Sequence, residues 1–296
     1  FSAQNKSAAE FAMYRAIRLM PCYWLAVIFT SIVMLAWGSY IGDISYIQIL
    51  VNLTMLQSFL GFSHIDGVYW TLVYEITFYF AVFLILFAGF GRYLTPLFIA
   101  WPFIMLAGLL LGLGKYPYMG EYFAYFSAGT LFALYKSTRN RFILIPILVA
   151  AHLCISFSLS QAEIMQKTKQ ILFSSSIIIG VISSFFLFFL LLNSNRGGSL
   201  KLPGSKILGA LTYPVYLIHA HIGYIFINNF ANNDNKVFIY LLTATLIVSV
   251  AFVMHWVLEI RLFLLWKTFF TFTIKKPVDL ALNGINLAHK FSRGKP

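Results

Sequence analysis

Charge is what this sequence has least of. Of 296 residues, 21 are lysine or arginine and nine are aspartate or glutamate, 10% in all, against about 25% in soluble domains. Hydrophobic residues make up 60% of the chain and aromatics 18%. A surface of that kind needs lipid around it, which excludes a cytosolic enzyme, a secreted disulfide-rich module and a disordered tail. Cysteine is almost missing as well. Cys22 and Cys154 both lie inside apolar runs, too few for a disulfide framework or a metal cluster. No zinc-ligand spacing, P-loop, nucleotide-binding glycine fingerprint or nucleophile elbow occurs in the chain, so no metal site is expected and nucleotide hydrolysis has no support. The chain opens on Phe1 without a signal-peptide layout, and reads as a segment that begins partway through a longer parent.

Long apolar runs are what is present. A membrane-crossing helix needs about 20 predominantly apolar residues. Eight runs qualify: Leu19–Trp37, Val68–Phe90, Leu94–Leu113, Met119–Tyr135, Arg141–Leu159, Ile171–Leu192, Ile207–Asn228 and Phe238–Glu259. A ninth, Tyr46–Phe62, is shorter and interrupted by Gln48, Asn52, Gln57 and Ser58. The expected fold class is all-α: a polytopic transmembrane helix bundle of about eight spans over residues 1–274, followed by a basic cytoplasmic tail over 275–296, with Pro277 expected to end any helix there.

The net charge of +12 would suggest nucleic acid in a soluble protein. Here its placement is enough to explain it. If Tyr46–Phe62 does not cross, 17 of the 21 basic residues fall on one face of the bilayer, leaving Lys115, Lys167, Lys169 and Lys236 on the other. If it does cross, the split becomes seven against 14. The positive-inside bias selects the first arrangement. Tyr46–Phe62 is therefore expected to be re-entrant or interfacial on the outer side, with both termini cytoplasmic. The lipid bilayer is the expected partner, with some attraction to anionic lipid, and no nucleic acid is expected.

Ionisable residues inside such runs are costly and call for a reason. Arg15 and Arg18 lie three apart at the cytoplasmic mouth of the first run, where a planar fork of donors suits phosphate; snorkelling anchors are the plain alternative. Glu75 lies seven residues into the second run, on the face of Tyr79, and either orients a base, binds a hydroxylated acceptor or makes a structural hydrogen bond. Tyr213, Tyr216 and His219 recur every three residues. Pro214 among them leaves the Ala210 carbonyl without its usual donor and kinks the span. His219 is a candidate general base because imidazole titrates near neutral pH, although an interhelical hydrogen bond would equally account for it. His221 points about 200° away on a continuous helix and is the weaker candidate. His255 and Glu259 form an i,i+4 pair that reads as structural. His64 and Asp66 fall in the outer loop before Trp70.

Four segments, in this order, resemble the acyltransferase 3 family of integral-membrane O-acyltransferases. FAMYRAIRLMPCYW is similar to its F-x-x-x-R-x-x-R-hydrophobic-x-P-x-Y-W element, and YWTLVYEITFY to its W-[ST]-L-x-x-E-x-x-F-Y element. LTYPVYLIH is similar to [ST]-Y-x-x-Y-L-x-H. WVLEIRLF resembles the terminal hydrophobic-E-x-P stretch, with Arg261 in place of the proline. The resemblance implies a polytopic enzyme of a bacterial plasma (inner) membrane. Such an enzyme takes an acyl group, commonly acetyl, from acyl-CoA bound at the cytoplasmic side and passes it to a hydroxyl of a carbohydrate or glycolipid. Arg15 and Arg18 would then lie near the CoA phosphates, with Glu75, Tyr216 and His219 as the catalytic candidates. The family also places a basic residue, ten intervening residues and a histidine regarded as the catalytic base ahead of the arginine pair. That pair stands near the start of this chain, so the first two of ten spans are expected to be missing, and with them the base that would make the segment active. Arg141 and His152 repeat the same spacing out of order, which reads as coincidence. The competing classes are a transporter or flippase, with Glu75 and His219 as a proton relay, and a truncated subunit without chemistry.

Overall fold

A computed structural model describes residues 6–38, 44–194 and 203–293, with side chains as far as residue 284. Among the described residues every regular element is helical. Six helical segments are long and apolar enough to cross a membrane, and a seventh is reached if one bent pair counts as a span. The chain is an integral membrane protein.

Two compact units make up the described chain. The first runs from Phe80 to the end of α7. It contains α4 (Leu94–Leu110), α5 (Phe123–Thr138), α6 (Leu144–Lys169) and α7 (Ser175–Leu192), with α6 packed against the other three. Pro146 sits in the first turn of α6, where no intrahelical donor is needed. Only 6% of the residues of α7 are fully buried, which leaves a large apolar face open to lipid. The run expected to span from Met119 gives the 16-residue α5 instead. Tyr118 and Glu121 take positive φ values of 65° and 54°, and the resulting turn removes four residues from the helix.

The second unit holds α1 (Ala8–Trp37), α2 (Tyr46–Leu53), α3 (Trp70–Phe87) as far as Tyr79, and everything from α8 (Ser205–Ile218) onward. Helix α1 begins well before the apolar run. The Ser7 side chain accepts from the Glu10 amide at 3.1 Å and Glu10 occupies the first turn, a Ser-x-x-Glu start that satisfies orphan donors and suits the helix dipole. It ends at Gly38, whose φ of +90° few other residues adopt. Over half of the apolar window of α1 is buried, and α2, α8 and the later helices α9 (His221–Phe230) and α11 (Phe263–Phe270) all pack on it. Tyr23, Met55, Ile65, Tyr69, Leu217 and Ile218 fill the core around it.

Helix α2 ends after eight residues, too short to cross. Asn52, fully buried, donates from Nδ2 to the carbonyls of Gln48 and Ser63 at 2.9 Å and accepts from the Ile65 amide at 3.0 Å. The segment is thereby folded back on itself, as expected for one that does not span. The run expected as one span over Ile207–Asn228 is broken: α8 and α9 (His221–Phe230) meet at 65°. Helix α10 (Lys236–Met254) continues as a π-helix over His255–Arg261, followed by α11 (Phe263–Phe270), a second π segment over Thr271–Lys275 and α12 (Lys276–Arg293). Pro277 is therefore the second residue of α12, directly after the π segment, where an end of helix was expected.

Candidate active site

The second unit contains the polar groups of the α1, α3 and α8 motifs. Arg15 lies two turns into α1, with its guanidinium 5.4 Å from the Phe11 ring centre and 4.9 Å from that of Tyr79, so the charge is stacked between aromatic faces. Its Nη1 donates to the Tyr79 hydroxyl at 3.3 Å, and that hydroxyl donates to Glu75 Oε1 at 2.6 Å. The i,i+4 relation of Glu75 and Tyr79 thus becomes a chain, Arg15 to Tyr79 to Glu75, that gives the carboxyl group its partner inside the span.

Arg18 meets different surroundings. It is exposed and lines a cavity of about 470 Å³ with Tyr14, Ile17, Gly209, Ala210, Tyr213, Glu259 and Phe263. Among the described residues it has no acidic partner within ion-pair distance. Prolines shape both helical walls. Pro21 in α1 removes the amide that would bond the Ile17 carbonyl, and Pro214 in α8 does the same to Ala210. Both Ile17 and Ala210 line the cavity. The Tyr213 hydroxyl bridges the same two helices, donating to the Leu19 carbonyl at 3.1 Å.

Glu259 completes the wall from the π-helix. The His255 Nδ1–H donates to its Oε2 at 2.7 Å, and the thiol of buried Cys22 donates to its Oε1 at 3.5 Å. The sequence marked the His255–Glu259 pair by spacing and read it as structural. Nothing in the pattern announced that Glu259 shares a cavity with Arg18, because a π turn changes which residues share a helix face.

Tyr216 and His219 are not part of that lining. The Tyr216 hydroxyl donates to the Val68 carbonyl at 2.6 Å and contacts Thr71 Oγ1. His219 is exposed, and its Nδ1–H donates to the Tyr216 carbonyl at 2.9 Å. His221, ranked below it from the sequence, is the buried one. Its backbone amide donates to Oδ2 of fully buried Asp66 at 3.0 Å, its Nδ1 lies 3.8 Å from Asp66 Oδ1, and its Nε2 is buried without a hydrogen-bond partner among the described residues. The ranking assumed one continuous helix; the 65° break between His219 and His221 removes the 200° relation. In the first unit, Arg141 and His152 are both exposed, at the start of α6 and within it.

Outside the spans, His64 Nδ1 accepts from Gln57 Nε2 at 2.9 Å and its Nε2–H donates to Ser58 Oγ at 3.0 Å. Burial holds this imidazole below the usual histidine range.

A family model described as an acyltransferase domain matches residues 1–257. The match takes in Arg15, Arg18, Glu75, Tyr216 and His219 and stops two residues before Glu259. Comparison with curated proteins and with solved structures returns no match.

Proposed function

The chain belongs to the acyltransferase 3 family of membrane acyltransferases, and on that premise we propose that it is an acyl-CoA-dependent O-acyltransferase acting on a hydroxyl of a carbohydrate or glycolipid. The observation that carries the donor assignment is Arg18: a guanidinium with no acidic partner among the described residues, exposed to a cavity of about 470 Å³. A charged fork in that position suits a phosphate group of CoA. Arg15 has a different part. Held by Phe11 and Tyr79 and linked through Tyr79 to Glu75, it fixes the geometry of α1 against α3 and adds positive potential beside the donor. Acetyl is the acyl group favoured by the family resemblance. The 17-to-4 distribution of basic residues supports a cytoplasmic position for the arginine pair and for both termini.

Membranes containing the chain, incubated with labelled acetyl-CoA, should release free CoA thiol and transfer label. Arg18→Ala should raise the acetyl-CoA concentration needed for half-maximal rate by roughly tenfold, the loss of one charge-assisted contact of about 1.4 kcal/mol. Wild-type membranes that neither bind nor consume acyl-CoA would overturn the assignment. Substrate movement across the membrane without thioester cleavage would favour a transporter, the reading that the broken α8–α9 segment recommends.

A further inference from the structure

We propose that the apolar pocket between α1, α9 and α10 holds the hydrocarbon chain of a lipid-anchored acceptor, with its sugar at the α9–α10 turn; this rests on the acyltransferase reading above and narrows its acceptor to a glycolipid. The pocket has a volume of about 230 Å³. Its floor is formed by Ile218 at the end of α8 and Ile225 on α9, both buried. Trp37, Phe230 and Leu246 line it and are also exposed, so among the described residues it is continuous with the surface that the chain turns to lipid. Hydrocarbon makes up nearly all of the lining, since the hydroxyl of buried Thr243 is spent on the Ile239 carbonyl at 2.7 Å. An apolar cavity of about 150 Å³ stays dry and takes up benzene. A larger one that opens to a bilayer is filled by hydrocarbon, and a bilayer supplies hydrocarbon as chains.

The polar end of the ligand is read from what surrounds the mouth. Helices α1 and α9 both end there, at Trp37 and Phe230, and an indole at that level suits a membrane–water boundary. The turn that follows Phe230 is rich in asparagine. Asn232 Oδ1 accepts from the Asp234 and Asn235 amides at 3.0 Å, and Asn235 Oδ1 accepts from the Asn232 amide at 2.7 Å. Asn235 Nδ2 donates to the Phe230 carbonyl at 3.1 Å, which ties the turn to the residue at the mouth. Asn228, Asn233 and Asp234 stand exposed around it. Their mixture of amide donors with carbonyl and carboxylate acceptors suits the hydroxyls of a sugar. Lys236 is the one cation between Asn228 and Lys236, with Asp234 two residues before it, so the turn offers no basic cluster for a phosphate headgroup. Charge thus favours a sugar over a phospholipid. Arg18 lies about 28 Å from Trp37 along the axis of α1, which gives donor and acceptor separate sites on one helix.

The test uses the whole chain in phosphatidylcholine vesicles and, as probe, a dodecyl glucoside with a photoreactive group at the end of its chain. Irradiation should label α9 or α10. Excess unmodified dodecyl glucoside should abolish the labelling against that phospholipid background, whereas glucose should not. Leu246→Trp fills the pocket from its exposed side and should cut labelling by roughly tenfold, with CoA affinity unchanged. Leu246→Ala leaves the pocket open and should label as the wild type does, which separates loss of the pocket from loss of the fold. Asn233→Ala with Asp234→Ala should weaken competition by dodecyl glucoside and leave competition by dodecanol as it was. Labelling that dodecyl glucoside does not compete away, or that is equal in the wild type and Leu246→Trp, would overturn the proposal. Labelling is read without acetyl-CoA, so that failure leaves the donor assignment intact. Vesicles that label as expected but never consume acetyl-CoA would instead remove the acyltransferase reading, and the acceptor role with it.

Discussion

Arg15 and Arg18 leave the same helix three residues apart and end in different chemistry. Arg15 spends its charge on two aromatic faces and a tyrosine hydroxyl, whereas Arg18 is exposed to a cavity. Their spacing is legible in the sequence; the division of work is not, because it depends on where α3 and α8 arrive. His64 is a second case in which one side chain sets local behaviour. Its hydrogen bonds to Gln57 and Ser58 require the neutral ring, and burial holds it below the ordinary value of about 6.5. The unfolded loop therefore binds the proton more readily than the folded one. The stability contributed here is complete above the ordinary histidine pKa and is lost as the pH falls through it towards the lower folded value. Amide protection over residues 56–66, corrected for intrinsic exchange, should decline as the pH falls below about 6.5. His64→Gln should flatten that decline. Protection that stays constant as the wild type is acidified would show that His64 does not control the loop.

The break between α8 and α9 is held by Asp66 at the level of the element. Its Oδ1 accepts from the Val68 amide at 3.1 Å in the 3-10 turn (Gly67–Tyr69) that leads into α3, and its Oδ2 accepts from the His221 amide at 3.0 Å at the start of α9. One buried carboxylate thus caps two helix starts, where a negative group also suits the dipoles. Asp66→Ala should lower stability by about 1–3 kcal/mol for the buried His221 amide alone, read as a lower unfolding midpoint in detergent. Asp66→Asn, which keeps an acceptor oxygen, should cost less, and an Asp66→Ala protein that melts with the wild type would refute this role. The helical class and the non-crossing Tyr46–Phe62 segment follow from apolar length and from the charges flanking it. The break does not, because Pro214 marks a lost hydrogen bond one turn earlier and the chain bends only after Ile218. The π-helix at His255 is equally silent in the pattern: its residues are ordinary helix formers, and only the packing of α1 shows which of them faces inward. For the same reason the Glu75–Tyr79 pairing is legible in the sequence, whereas the exposure of His219 and the burial of His221 are not.

At the scale of the molecule the charges are few, and among the described residues Arg18 and Glu259 line one cavity. If the basic residues set the topology, Ser63→Cys and Lys206→Cys should react with a membrane-impermeant thiol reagent from opposite sides of sealed vesicles. Labelling of both from one side would exclude the arrangement. The central claim, that the cavity between α1 and α8 receives the CoA donor, has a direct measurement. A Cβ at Gly209 meets nothing within 4 Å, and the native Cys22 and Cys154 are both buried, so Gly209→Cys places one accessible thiol on the cavity wall. CoA should slow modification of that thiol in a saturable way, and Arg18→Ala should shift the protection to higher CoA concentration. Modification at the same rate with and without saturating CoA would contradict the account.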